Sequence, residues 1–164
     1  MFDDFDDEDD NFSTEDIEKE HERVRNMPIF KKGNEILKLV MIITDLISDE
    51  DDELQNIKGL MMENAALLTV KIAGAEAAEI YDLKMEAAAF IRRAARDLQV
   101  SNHSLKAFGF QHVEYFDMVR KLIEEYRILF IDWVANFDKT NYLYDDWGLF
   151  NPPNASPDKD FFEK

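Results

Sequence analysis

The segment 111–137 limits the fold more than any other stretch of this chain. Phe116, Val119, Ile123, Tyr126, Phe130, Trp133 and Phe137 recur at alternating steps of three and four residues. That spacing lines seven large apolar side chains along one stripe of a helix, and such a stripe has to be covered by neighbouring helices. The pattern calls for an all-α fold with antiparallel packing.

Three further segments supply the neighbours. Asn26-Met27-Pro28 is a helix-start signal, since proline is tolerated in a first turn. A first helix over about 29–47 follows, with Ile36, Val40, Ile43 and Ile47 on one seam. Leu39, Ile42 and Leu46 widen that seam into a surface that other helices are expected to enclose. Ser48 to Asp51 provide a cap and acidic groups that suit the positive end of the next helix. The second helix covers about 51–73, with Leu54, Ile57, Met61, Leu68 and Ile72 inward. Continued unbroken to residue 100 it would be about 75 Å long, too long for one small domain. A break is therefore expected near Gly74, followed by a third helix over about 77–100 with Ile80, Leu83, Ala87, Ile91, Ala94 and Leu98 on its seam. Ser101 to Ser104 and Gly109 mark a connection of about ten residues before the fourth helix.

Four helices of similar length with short links give an up-down-up-down antiparallel four-helix bundle over 28–138. An acidic N-terminal tail (1–27) precedes it, and an aromatic, proline-containing C-terminal extension (139–164) follows. The chain of 164 residues is long enough to bury such a core.

Charge separates the tail from the bundle. The net charge is −17, and residues 1–22 hold twelve acidic side chains against Lys19 alone. Residues 23–137 hold eighteen acidic and fifteen basic side chains, so the body is close to neutral. Self-repulsion should keep the leader extended or loosely helical, which makes it first of all a solubilising, disordered tail; the alternative is a docking arm whose Phe2, Phe5 and Phe12 insert into a basic partner. So negative a chain disfavours long-range attraction to nucleic acid or anionic lipid. The acidic start is unlike a secretory signal, and the apolar runs are too short to span a bilayer. The absence of cysteine removes disulfides and thiolate chemistry and suits a cytoplasmic setting. After residue 138 three prolines exclude a long helix, and six aromatics imply that part of the extension packs, on its own bundle by preference or alternatively on a neighbouring chain.

No catalytic, cofactor or metal residues emerge. A di-iron bundle site needs two Glu-x-x-His pairs, and only Glu18 with His21 has that spacing. The acidic run 49–53 lacks the central glycine and closing glutamate of a calcium loop. Ser101 and Ser104 read as capping residues, His103 and His112 as capping or surface residues, and glycine-rich phosphate loops are absent. Glu76 reads as an N-terminal carboxylate for the third helix, with burial against Lys71 as the alternative.

The concentrated basic feature lies in 71–98. Arg92 and Arg96 share a helix face, and Arg93 is placed to pair with Asp97. Tyr81, Met85 and Arg92 form a second, half-apolar stripe of the kind that a subunit interface requires. A charged helix face of this kind is most simply a solvated one whose arginines pair with acidic residues of adjacent helices; read as functional, it is a rim for the acidic leader, another subunit or RNA. The candidate interaction surface is then Tyr81, Met85, Arg92, Arg93 and Arg96, joined by Arg120 and Lys121 on the fourth helix. A non-enzymatic interaction protein that self-associates is the leading expectation. The alternative is an RNA-binding accessory protein that uses the basic rim of the third and fourth helices.

The motifs KIAGAE after an amphipathic helix, IRRAARDL closing the next, and the final RKLIEEYRILFIDWVANF together resemble a bacterial four-helix bundle family. That family includes proteins encoded within intervening sequences of large-subunit ribosomal RNA genes. The likeness covers roughly 28–138 and centres on the Ile-Ala-Gly hinge at 72–74. It implies small bundles that assemble into rings of five, with relatives that associate with nucleic acid or reverse transcriptase.

Overall fold

The computed structural model describes residues 14–157; residues 1–13 and 158–164, with Phe2, Phe5 and Phe12 of the leader, lie outside the described residues. Five α-helices follow in order: α1 (Thr14–Asn26), α2 (Pro28–Thr44), α3 (Asp52–Ala78), α4 (Tyr81–Ala107) and α5 (Phe116–Ala135). A 3-10 turn at Val113–Tyr115 leads into α5, and no strand occurs among the described residues. The fold is all-helical, with α2 and α4 each packed against both α3 and α5.

The predicted stripe on the last helix forms the centre of the core. Phe116, Val119, Ile123, Tyr126, Trp133 and Phe137 are buried, and Phe130 is half-buried. Burying a large apolar side chain contributes about 1.5–3 kcal/mol, so this stripe supplies much of what holds α5 to its neighbours. The Tyr126 hydroxyl, which burial holds in its protonated form, donates to the Leu68 carbonyl of α3 at 2.8 Å. Gly33 of α2 meets the same turn of α3. A Cβ built there would stand 2.8 Å from Thr69 Cγ2 and 3.0 Å from the Leu68 carbonyl oxygen. Glycine is needed at that position because the two backbones approach too closely for a side chain.

Helix ends follow local chemistry where it is strong. Asp51 is the N-cap of α3, its carboxylate accepting from the Leu54 N–H at 2.9 Å. Such a cap is worth about 1 kcal/mol. At the end of α4, Gly109 takes φ +82°, its N–H donates to the Lys106 carbonyl, and the Phe110 N–H donates to that of Leu105. This pairing satisfies carbonyls that the helix leaves open, and Phe110 folds inward over the last turn.

Several expectations are corrected. The stretch 14–26 of the leader is α1, a regular helix in place of a loose tail, with Val24 buried and Arg23 reaching α3. Gly74 does not break the chain. Helix α3 runs through it, and the turn falls at Glu79 (φ 54°) and Ile80. One exposed helical glycine costs roughly 0.5–1 kcal/mol, less than the burial of Ile72 and Ala75 on either side returns. The C-terminal extension fixes the turn instead. Asn141 donates from its side chain to the Glu79 carbonyl at 2.8 Å and accepts the Tyr81 N–H at 2.8 Å. Asp82 accepts the Leu143 N–H at 2.8 Å. Helix α4 also continues past residue 100 through the expected connection, where the Ser101 hydroxyl donates to the Asp97 carbonyl.

The start of α4 is rotated from its predicted face. Tyr81 is buried and Leu83 is exposed. A helix that begins at Tyr81 presents that ring to Phe137, edge-on at 6.5 Å, and Leu83 then points outward. Ile42 of α2 (65% exposed) and Leu46 in the turn that follows it are not enclosed.

Candidate interaction surfaces and a buried carboxylate

Two regions concentrate the unusual chemistry. At one end of the helices Glu76, near the end of α3, is only 6% exposed. Its Oε1 accepts from Lys84 Nζ of α4 at 3.0 Å and from Trp133 Nε1 of α5 at 2.9 Å. Its Oε2 accepts from Arg23 of α1 at 2.9 Å. Burial pushes the carboxyl up, yet the hydrogen bonds from Trp133, Arg23 and Lys84 outweigh it and hold the group below the usual glutamate range. Arg23 also binds Glu20 within α1, and these two carboxylates hold its guanidinium protonated beyond the ordinary range. Lys84 lies over the Phe137 ring, which packs edge-on against Trp133 at 4.6 Å. Four helices thus converge on one carboxylate. Glu76 thus lies in the last turn of α3 and does not open the next helix. It is buried, as the alternative expectation has it, but its lysine partner is Lys84, while Lys71 lies over the Phe90 ring.

The second region is the flank between α4 and α5. Ile91, Ala95, Ile123, Phe130 and Ile131 line an apolar groove of about 290 Å³ rimmed by Arg92, Arg96 and Arg127. Glu124 on that rim is occupied by Arg127 at 2.8 Å and Gln99 at 3.1 Å. Arg92 and Arg96 have no ion-pair partner among the described residues. Arg93 turns away from the groove and pairs with Asp97 at 3.7 Å, as the spacing predicts.

The predicted surface is therefore divided. Tyr81 is buried, and Met85 is half-buried against the core, so neither forms an outer stripe. Arg120 is exposed on α5, and Lys121 lies on the opposite flank, between α2 and α5. There Leu39, Ile42, Met118 and Leu122 floor a furrow of about 510 Å³, edged by Glu35, Lys38, Lys121 and Glu125. Lys32 ties this edge together by binding both Glu125 at 2.8 Å and Glu35 at 2.6 Å. The sequence did signal this face, since Leu39 and Ile42 make the apolar surface of α2 wider than one seam. It was read as enclosed because the number of neighbours is not visible in one helix's pattern.

No helix among the described residues is long and apolar enough to cross a membrane. No family model matches this chain, and no curated protein and no solved structure matches it.

Proposed function

We propose that this chain is a non-enzymatic, self-associating interaction protein whose primary contact is the α2–α5 face. The observation that carries this reading is the contiguous apolar furrow between α2 and α5, in which Ile42 and Met118 are exposed beside the half-buried Leu39 and Leu122. Exposed patches of this kind usually mark contact sites. Its edge alternates Glu35 and Glu125 with Lys38 and Lys121, a mixture that a second copy can match by symmetry. We read α2 to α5 as an up-down-up-down antiparallel bundle, supported by the two-residue link at Glu79–Ile80 and by the order in which the helices touch. The ring of five implied by the resemblance is one form such association would take, in the cytoplasmic setting that a cysteine-free chain suits.

Light scattering during size-exclusion chromatography tests the reading. An oligomer at tens of micromolar, shifted toward monomer by Ile42→Glu, is expected. A strict monomer at that concentration removes the self-association. A second reading, an RNA-binding accessory, is favoured by the uncommitted Arg92 and Arg96. Filter binding to structured RNA that weakens steeply with salt would support it, and no binding at low salt would end it.

A further inference from the structure

The C-terminal extension carries a feature that the core does not explain. Residues 145–151 close into a small loop around Asp145. Its carboxylate accepts the backbone N–H groups of Trp147 at 2.9 Å, Leu149 at 2.8 Å and Phe150 at 2.9 Å. Asn151 closes the circuit, its Oδ1 accepting the Asp145 N–H at 2.8 Å and its Nδ2 donating to the Asp145 carbonyl at 2.9 Å. Gly148, at φ +69°, permits the tight turn. The base of the loop is anchored, with Phe150 half-buried beside Phe90 and Arg93 of α4.

The tip of this ordered loop is Trp147, 94% exposed, with Leu149 72% exposed beside it. A tryptophan held in water by a loop with so many internal hydrogen bonds is a pre-organised knob. Ordering it has already removed much of the entropy that binding would otherwise cost. Asp146, exposed and without an ion-pair partner among the described residues, stands next to it.

The α4–α5 groove has the complementary properties. Its floor is apolar, its volume suits one bulky side chain and falls short of a cofactor, and its rim offers the uncommitted Arg92 and Arg96. An indole seated there would lie beside guanidinium groups able to stack on its face, and Asp146 would meet the same cations. Trp147 cannot already be filling its own groove at 94% exposure.

We propose that Trp147 and Leu149 of one copy insert into the α4–α5 groove of a second copy. Knob and groove are different surfaces, so the contact is either exchanged reciprocally across a two-fold axis or repeated head-to-tail from subunit to subunit. It rests on the self-association reading and adds a second contact to it. A tryptophan buries roughly 150–250 Å², whereas a stable interface takes about 800 Å² from each partner. The knob is therefore an anchor that works together with the α2–α5 face.

The full chain holds two tryptophans, Trp133 buried and Trp147 exposed, so acrylamide quenching reports on the knob directly. Quenching is measured across a dilution series in parallel with light scattering, for the wild type, Trp147→Ala, the double variant Arg92→Glu/Arg96→Glu, and a chain lacking residues 2–12. In the wild type the quenchable fraction should fall as association rises. The double variant should keep Trp147 quenchable at every concentration. Trp147→Ala should raise the midpoint concentration of association roughly thirty-fold, as loss of a central aromatic anchor does. Circular dichroism identical to wild type keeps both variants interpretable, since all three positions are exposed. Association with Trp147 still fully quenchable overturns the knob and leaves the α2–α5 reading standing, whereas a monomeric wild type overturns both. If removal of residues 2–12 abolishes the protection and Trp147→Ala leaves association unchanged, the acidic leader is the occupant and the proposal fails.

Discussion

The Glu76 end and the α4–α5 flank are built from similar parts and reach opposite outcomes. Both set cationic side chains beside aromatic or aliphatic surface. At the Glu76 end a single carboxylate collects Arg23, Lys84 and Trp133 from three other helices, so every charge there is answered. On the flank Arg92 and Arg96 rim an apolar groove with no carboxylate left for them among the described residues. A buried charge that loses its partners is heavily penalised, whereas an exposed one is merely solvated. The first region therefore governs whether the chain folds, and the second is free to govern what it touches.

Removing the carboxylate tests that division most severely. Glu76→Gln leaves Lys84 half-enclosed without an anion and should lower stability by about 3–5 kcal/mol in urea unfolding. The same substitution fixes the sign of the acid response. The folded carboxyl titrates below its ordinary value of 4.5, so its contribution is fully present above that pH and is lost as pH falls beneath it. The wild type should lose more stability than Glu76→Gln between about pH 6 and pH 3, and parallel losses would remove Glu76 from its central place. Next in size, Gly33→Ala forces a methyl against Thr69 and the Leu68 carbonyl and should cost about 1–3 kcal/mol.

Smaller effects bear on the edges of the comparison. Asn141→Ala removes the side-chain donor that bonds the Glu79 carbonyl at the α3–α4 turn, with an expected loss of about 1 kcal/mol. Gly74→Ala should stabilise by about 0.5–1 kcal/mol, because a Cβ there meets nothing and the residue lies inside a helix. A hinge at Gly74 would give the opposite sign, so thermal melting of this one variant decides between them. At the open surfaces, Ile42→Glu should change the unfolding free energy by less than about 0.5 kcal/mol while weakening association.

Parts of this molecule were readable residue by residue. The stripe from Phe116 to Phe137 was legible because a helix repeats its faces at a fixed angle, and six of its seven members are buried. The Asp51 cap and the Arg93–Asp97 pair are likewise local, each spanning less than two turns. The α3–α4 turn was not legible. Gly74 carried the strongest local signal for a break, but the chain turns at Glu79, a residue with no turn preference, because Asn141 binds it from 62 positions away. The partners of Glu76 were hidden for the same reason, since Arg23 and Trp133 are 53 and 57 positions distant. Tyr81 and Met85 were misplaced because the expected seam of Ile80, Leu83 and Ala87 runs one residue off the buried face in the first turns of α4, where Tyr81 and Ala88 point inward.

The sequence alone determined that this chain is helical, where its longest apolar stripe lies, and that its acidity is concentrated at the N-terminus, because periodicity and charge are properties of neighbours along the chain. Only the tertiary structure decided which helix faces stay open, where the central turn falls, and that Glu76 is gripped from three sides. Those outcomes depend on which distant side chains arrive at the same place, and no local pattern records that meeting.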